Sequence, residues 1–168
     1  MRALKEQGIY VWIDLHVGRK FGPGDGIRAF EEVNRSDSRG FDYVNPDLEA
    51  AGRDFVRQYL KRNNPHTGLS LAEDPAVVAV LLTNENDLTH HFGNKMLRDK
   101  PSPEHTAMFE TRAAEFAART GLPRDRVLRT WEPGPSKLLL NELERQQFVR
   151  SRDLLRSLGV RALADGRG

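Results

Sequence analysis

The sequence predicts an α/β fold built on a parallel sheet, and three observations carry that expectation. Ile9, Val11, Ile13 and Leu15 alternate with Tyr10, Trp12, Asp14 and His16, the two-residue period of a strand, in β-branched and aromatic residues that strands favour. Ala76 to Leu82 is an unbroken apolar run of strand length, the pattern of a strand buried on both faces of a parallel sheet. Between them Leu48, Ala51, Phe55, Val56, Tyr59 and Leu60 recur at helical spacing, so the order is β-α-β.

Taken along the chain, Met1 to Gln7 reads as the end of a helix that Gly8 stops. A strand follows over 8–16, polar only at its C-terminal end. Residues 17–46 are polar and rich in glycine around Gly22-Pro23-Gly24-Asp25-Gly26, which predicts a long βα loop. Asp47 serves as N-cap for a helix over 47–62, broken by Asn63-Asn64-Pro65-His66-Thr67-Gly68. The second strand spans 76–83 and gives way to Thr83-Asn84-Glu85-Asn86-Asp87. Helices are predicted over 104–120, closed by Gly121-Leu122-Pro123, and over 135–158, closed by Gly159. Val160 to Leu163 begins another strand pattern, but Asp165-Gly166-Arg167-Gly168 arrives before a strand is complete. The 168 residues are read as one domain.

Composition narrows the function. Lys and Arg number 26 against 24 Asp and Glu, and the two signs interleave, so no basic stripe for a nucleic acid is expected. The chain has no cysteine, which removes disulfides, thiolate metal sites and a cysteine nucleophile. No apolar run approaches a membrane span. Localisation and oligomeric state are left open.

Chemistry is expected where the strands end, because βα loops gather around ligands at the C-terminal edge of parallel sheets. Those ends carry His16, Asn84 and Glu85. A carboxyl at the mouth of an apolar strand loses part of its hydration, which suits it to proton transfer near neutral pH. Strict alternation would send Asn84 and Glu85 to opposite faces, so a shared site requires the chain to leave β geometry there.

The strand Gly8-Ile9-Tyr10-Val11-Trp12-Ile13-Asp14-Leu15-His16, followed by Asp74-Pro75-Ala76-Val77 and Leu82-Thr83-Asn84-Glu85-Asn86, resembles strands three and four of glycoside hydrolase family five. Asn64-Pro65-His66-Thr67-Gly68-Leu69 and Trp131-Glu132-Pro133-Gly134-Pro135-Ser136-Lys137 look like one bacterial branch of it. The resemblance implies an incomplete (β/α)8 barrel, covering approximately strand 3 to helix 4. It implies retaining cleavage of β-glucan- or β-mannan-type bonds, with Glu85 as acid/base and His16 and Asn84 on sugar hydroxyls. The second carboxylate of such enzymes, the nucleophile, has no counterpart in these residues. The isolated chain is therefore expected to be inactive. No cofactor and no metal are implied, and the expected partner is an oligo- or polysaccharide.

Other features receive plainer readings. Asp14 is expected to be a buried support for His16 rather than a second catalytic carboxyl. The Gly22 to Gly26 loop lacks the Lys-Ser/Thr ending of a phosphate cradle. His90-His91, weighed with Glu104-His105, matches no metal-ligand spacing. Trp131 and Phe21 are of a type that stacks on sugar rings or fills a core. The alternative functions are a non-catalytic carbohydrate-binding or pseudo-enzyme domain and a small nucleotide-binding protein.

Overall fold

The computed structural model describes residues 1–16, 19–127 and 134–165. Its contacts group into two compact units, one of Met1–Val17, Ala51–Asn84 and Phe148–Gly168, the other of Gly18–Ala50 and Glu85–Gln147.

The first unit holds the sheet. Helix α1 (Arg2–Glu6) ends at Gly8, whose φ of 70° turns the chain into strand β1 (Val11–Asp14). Strands β1, β2 (Val77–Leu81) and β3 (Leu163–Asp165) lie side by side in that order, each parallel to its neighbour. The register pairs Trp12 with Ala79, Ile13 with Val80 and Asp14 with Leu81, after an irregularity between Val11 and Trp12. Ile13, Leu15, Val77, Val80 and Leu82 pack with Val56 and Leu60 of helix α3 (Pro46–Lys61) and with Leu154 and Leu155. Burying each such side chain contributes about 1.5–3 kcal/mol, so this one apolar layer is the unit's main source of stability. Lys5 reaches the buried Asp74 carboxylate at 3.0 Å, and the same oxygen accepts the Ala76 N–H, fixing the entry to β2.

Three expectations change here. The barrel is the first. A barrel strand is buried on both faces, whereas Trp12 is 60% and Val78 43% exposed. The sheet is open, with β1 at one edge and β3 at the other, and the structure is 57% helical. What folds is a small α/β arrangement rather than part of a (β/α)8 wall. The second is Asp14, which is exposed and gives His16 no buried support. The third is the C-terminal pattern, which completes strand β3 against β2.

The second unit is helical. The stretch read as loop 17–46 contains a 3₁₀ turn (Pro23–Asp25), helix α2 (Phe30–Ser36) and a second 3₁₀ turn (Phe41–Tyr43). Asp25 folds back so that its carboxylate accepts the Gly22 N–H at 2.8 Å. Helix α3 is capped by Asn45, whose side chain accepts the Asp47 N–H at 3.0 Å. Proline at the first helical position suits that arrangement. Asp47 is thus inside the helix, and its carboxylate accepts the Arg28 N–H instead. A π-type turn (Leu88–Phe92) and a 3₁₀ turn (Gly93–Met96) lead to helices α4 (Pro103–Thr120), α5 (Arg124–Val127) and α6 (Pro135–Ser157). Phe41, Leu88, Met96, Phe109, Val127, Leu139 and Leu140 form its most deeply buried apolar set.

Candidate functional site

His16 and Asn84 both belong to the first unit and follow adjacent parallel strands at the same end of the sheet. The Leu15 N–H still bonds to Leu81 at 3.0 Å, so His16 begins where the ladder stops. Its imidazole lies over Gly52 of α3, where a Cβ would meet the ring at 2.9 Å, and tilts against Phe55 with centroids 6.2 Å apart. The glycine in mid-helix makes that seat. Asn84 is partly buried beyond the end of β2.

Glu85 opens the second unit. Its φ is 48°, so the chain has left β geometry at this residue. A left-handed backbone costs a non-glycine residue about 1–2 kcal/mol. Ala29 and Asp37 also have positive φ, but they flank α2 as its caps, whereas Glu85 caps no helix. The side chain is 73% exposed, with the Arg39 guanidinium 3.9 Å away. The desolvation expected from its place at a strand mouth is therefore absent.

The residue that holds Glu85 in this conformation is the next one. Asn86 is buried; its Oδ1 accepts the Gly40 N–H at 2.7 Å, its Nδ2 donates to Asp42 at 2.8 Å, and its carbonyl accepts the Tyr43 hydroxyl at 2.7 Å. Gly40, at φ 81°, lies so close to Phe92 that a Cβ would stand 2.8 Å from that side chain. Farther on, Glu144 accepts the N–H groups of Leu88 at 2.6 Å and Thr89 at 2.9 Å, and Lys137 donates to the Thr89 carbonyl. Segment 85–89 is thereby fixed by six hydrogen bonds, and fixed supports are what precise positioning of a reactive group demands.

Arg39 is itself held. The Lys95 ammonium donates to the carbonyls of Ser36, Asp37 and Arg39 at 3.1, 3.2 and 2.8 Å and to the Asp37 carboxylate at 3.2 Å, above the Phe41 ring. Burial lowers its pKa, and Asp37 offsets part of that. The Arg39 guanidinium stacks on Phe92 at 5.0 Å.

Deeper in the unit lies a buried acid–base pair. His105 Nδ1 is 2.6 Å from Glu32, and its Nε2 is 3.0 Å from the Asn45 amide nitrogen. That amide also donates to the Arg28 carbonyl, which makes it the nitrogen end. Nε2 must then accept, so Nδ1 carries the proton and donates to Glu32. Burial lowers the His105 pKa against the pull of Glu32. For Glu32, burial works upward but the N–H groups of Glu104 and His105 and the imidazole outweigh it. The pair is sealed from solvent and works as a structural clasp on the start of α4.

The sequence reading thus named Glu85, Asn84 and His16 but missed Asn86, Arg39, Asp42 and Lys95, whose partners lie tens of residues away and leave no local signature. Phe21 is partly buried beneath Arg19 at 4.9 Å. Trp131 lies outside the described residues. No protein-family model, no curated protein and no solved structure matches the chain.

Proposed function

We propose that this chain supplies the proton-transferring carboxyl, Glu85, of a retaining glycoside hydrolase acting on β-glucan- or β-mannan-type bonds. The observation that supports this reading is the strained backbone of Glu85 (φ 48°), which presents an exposed carboxylate while Asn86 locks the residue behind it. Strain that the surroundings enforce is typical of residues kept for function. In the reaction Glu85 protonates the departing glycosidic oxygen and then, as a base, takes a proton from the water that hydrolyses the glycosyl intermediate. The nucleophile comes from outside residues 1–168. His16 and Asn84 take sugar hydroxyls at their strand ends.

A second reading, carbohydrate binding without catalysis, draws on the exposure of Glu85 beside Arg39. An ion pair open to water is a good acceptor and donor set for hydroxyl groups but is not desolvated for proton transfer.

Titration of the isotope-labelled chain with β-1,4-linked gluco- and manno-oligosaccharides, followed by NMR, tests both. Saturable shifts at the Asn84 and Glu85 amides and the His16 ring are expected, with no hydrolysis by the chain alone. No saturable shift with either sugar overturns both readings. Hydrolysis by the 168-residue chain, lost in Glu85→Gln, places the nucleophile inside it and overturns that part of the proposal. Expressed with its flanking coding sequence, the Glu85→Gln variant should lose about 10²–10⁴-fold in kcat; an unchanged rate leaves binding alone.

A further inference from the structure

Three residues beyond Glu85 the chain enters the π-type turn Leu88–Phe92, a geometry that is rare and concentrated at functional sites. Asp87 caps this turn in an extended conformation, and His90 and His91 lie within it. Neighbouring histidines are expected to diverge on a regular helix, yet these two rings have centroids 4.4 Å apart. Asp87 is held on the same side. One carboxylate oxygen accepts the His90 and His91 N–H groups at 2.8 and 3.0 Å, and the other lies 2.6 Å from His91 Nδ1. One donor atom from each of the three residues falls within 4.8 Å of the others.

We propose that Asp87, His90 and His91 bind a divalent transition-metal ion of the zinc class. Two imidazoles and a carboxylate are a donor set that suits zinc, while calcium and magnesium prefer all-oxygen shells. Zinc bonds of about 2.0–2.2 Å bring tetrahedral donors to roughly 3.4 Å from one another. Rotation of the exposed imidazoles closes the remaining gap, and the His91 side chain is 58% exposed. The frame beneath does not have to move, because Glu144 already holds the N–H groups of Leu88 and Thr89. The sequence signal is Asp-x-x-His-His. Glu104-His105 is no part of it, since His105 has both ring nitrogens occupied by Glu32 and Asn45.

Calorimetric titration of the full chain with zinc chloride tests the site without reference to any activity. One zinc per chain is expected, with little or no heat from magnesium chloride. The double variant His90→Gln, His91→Gln should lose the site. Asp87→Asn keeps a carbonyl oxygen for capping but removes the anionic ligand, and should weaken binding by at least the roughly 10–100-fold that loss of an outer-shell partner costs. Circular dichroism of each variant separates loss of the site from loss of fold. Zinc binding of equal strength in wild type and a folded double variant would assign the ion to other side chains and overturn the proposal. Absence of any zinc heat in the wild-type chain would do the same.

Discussion

The Asn86 side chain donates to one oxygen of the Asp42 carboxylate at 2.8 Å, while the other oxygen, Oδ1, is buried without a partner. Gln147 adds a second donor to the bonded oxygen at 3.2 Å. Burial dominates these hydrogen bonds and raises the Asp42 pKa to about 6. A folded pKa above the unfolded one means that the folded state holds its proton more tightly. The stabilisation is complete below about pH 4 and is lost as pH rises through about 6. Raising the carboxyl from its ordinary value near 4 to about 6 corresponds to roughly 3 kcal/mol at most. Asp42→Asn, always neutral, should therefore gain stability over wild type between pH 4.5 and 7.5. The difference between the two proteins in urea unfolding at both pH values is the measurement. An unchanged difference would show that the carboxyl is not protonated in this range.

How much of this was legible depends on whether the signal was local. The alternation of Ile9 to His16 and the run Ala76 to Leu82 carry their own period, and strands β1 and β2 lie inside them at Val11–Asp14 and Val77–Leu81. Helices α4 and α6, at Pro103–Thr120 and Pro135–Ser157, are long enough for their apolar stripes to be read. Helix α2 has seven residues and begins after Ala29 at φ 56°, so neither length nor a capping residue announced it within a glycine-rich stretch. Strand β3 has three residues and depends on β2 for its pairing. The support of Glu85 was the least legible part. Asn86 meets Gly40 and Asp42 across 46 and 44 residues, so no local pattern announces it.

Glu32 and His105 give a second pH effect of opposite sign. Burial depresses the His105 pKa from its ordinary value near 6.5, so the folded state resists protonation. Its contribution to stability is present above pH 6.5 and falls away as the pH is lowered through the folded pKa. Glu32→Ala leaves the imidazole N–H and the N–H groups of Glu104 and His105 without their acceptor. Each buried donor left without an acceptor costs about 1–3 kcal/mol. Thermal unfolding reports the loss, and ring ¹⁵N shifts of the wild-type protein should show the neutral His105 imidazole predominating at pH 6.5, with its proton on Nδ1. A charged imidazole at that pH would contradict the assigned hydrogen bonds.

Lys95 is predicted to order the loop that carries Arg39. Its ammonium meets three carbonyls and one carboxylate converging from residues 36–39. A compact ion with tetrahedral donors fits that cluster, whereas the planar guanidinium of arginine does not. Lys95→Arg should therefore fail to rescue what Lys95→Met loses. The expected outcome is faster amide hydrogen exchange at Gly40, with Lys95→Arg closer to the methionine variant than to wild type. Wild-type exchange in Lys95→Arg would show that charge alone suffices.

Gly52 sets two effects against each other in one substitution. Within helix α3, alanine is favoured over glycine by about 1 kcal/mol, and no backbone strain opposes it because φ at Gly52 is not positive. The added Cβ would stand 2.9 Å from His16 Cε1, closer than carbon atoms approach. That atom belongs to the far end of a side chain, so the imidazole yields rather than the helix. Gly52→Ala should then leave the melting temperature equal to or above that of wild type while displacing His16. In the oligosaccharide titration it should weaken binding, and His16→Ala should weaken it to a similar degree with no further loss in the double variant. Additive losses would mean that Gly52 acts on the site by a route other than His16.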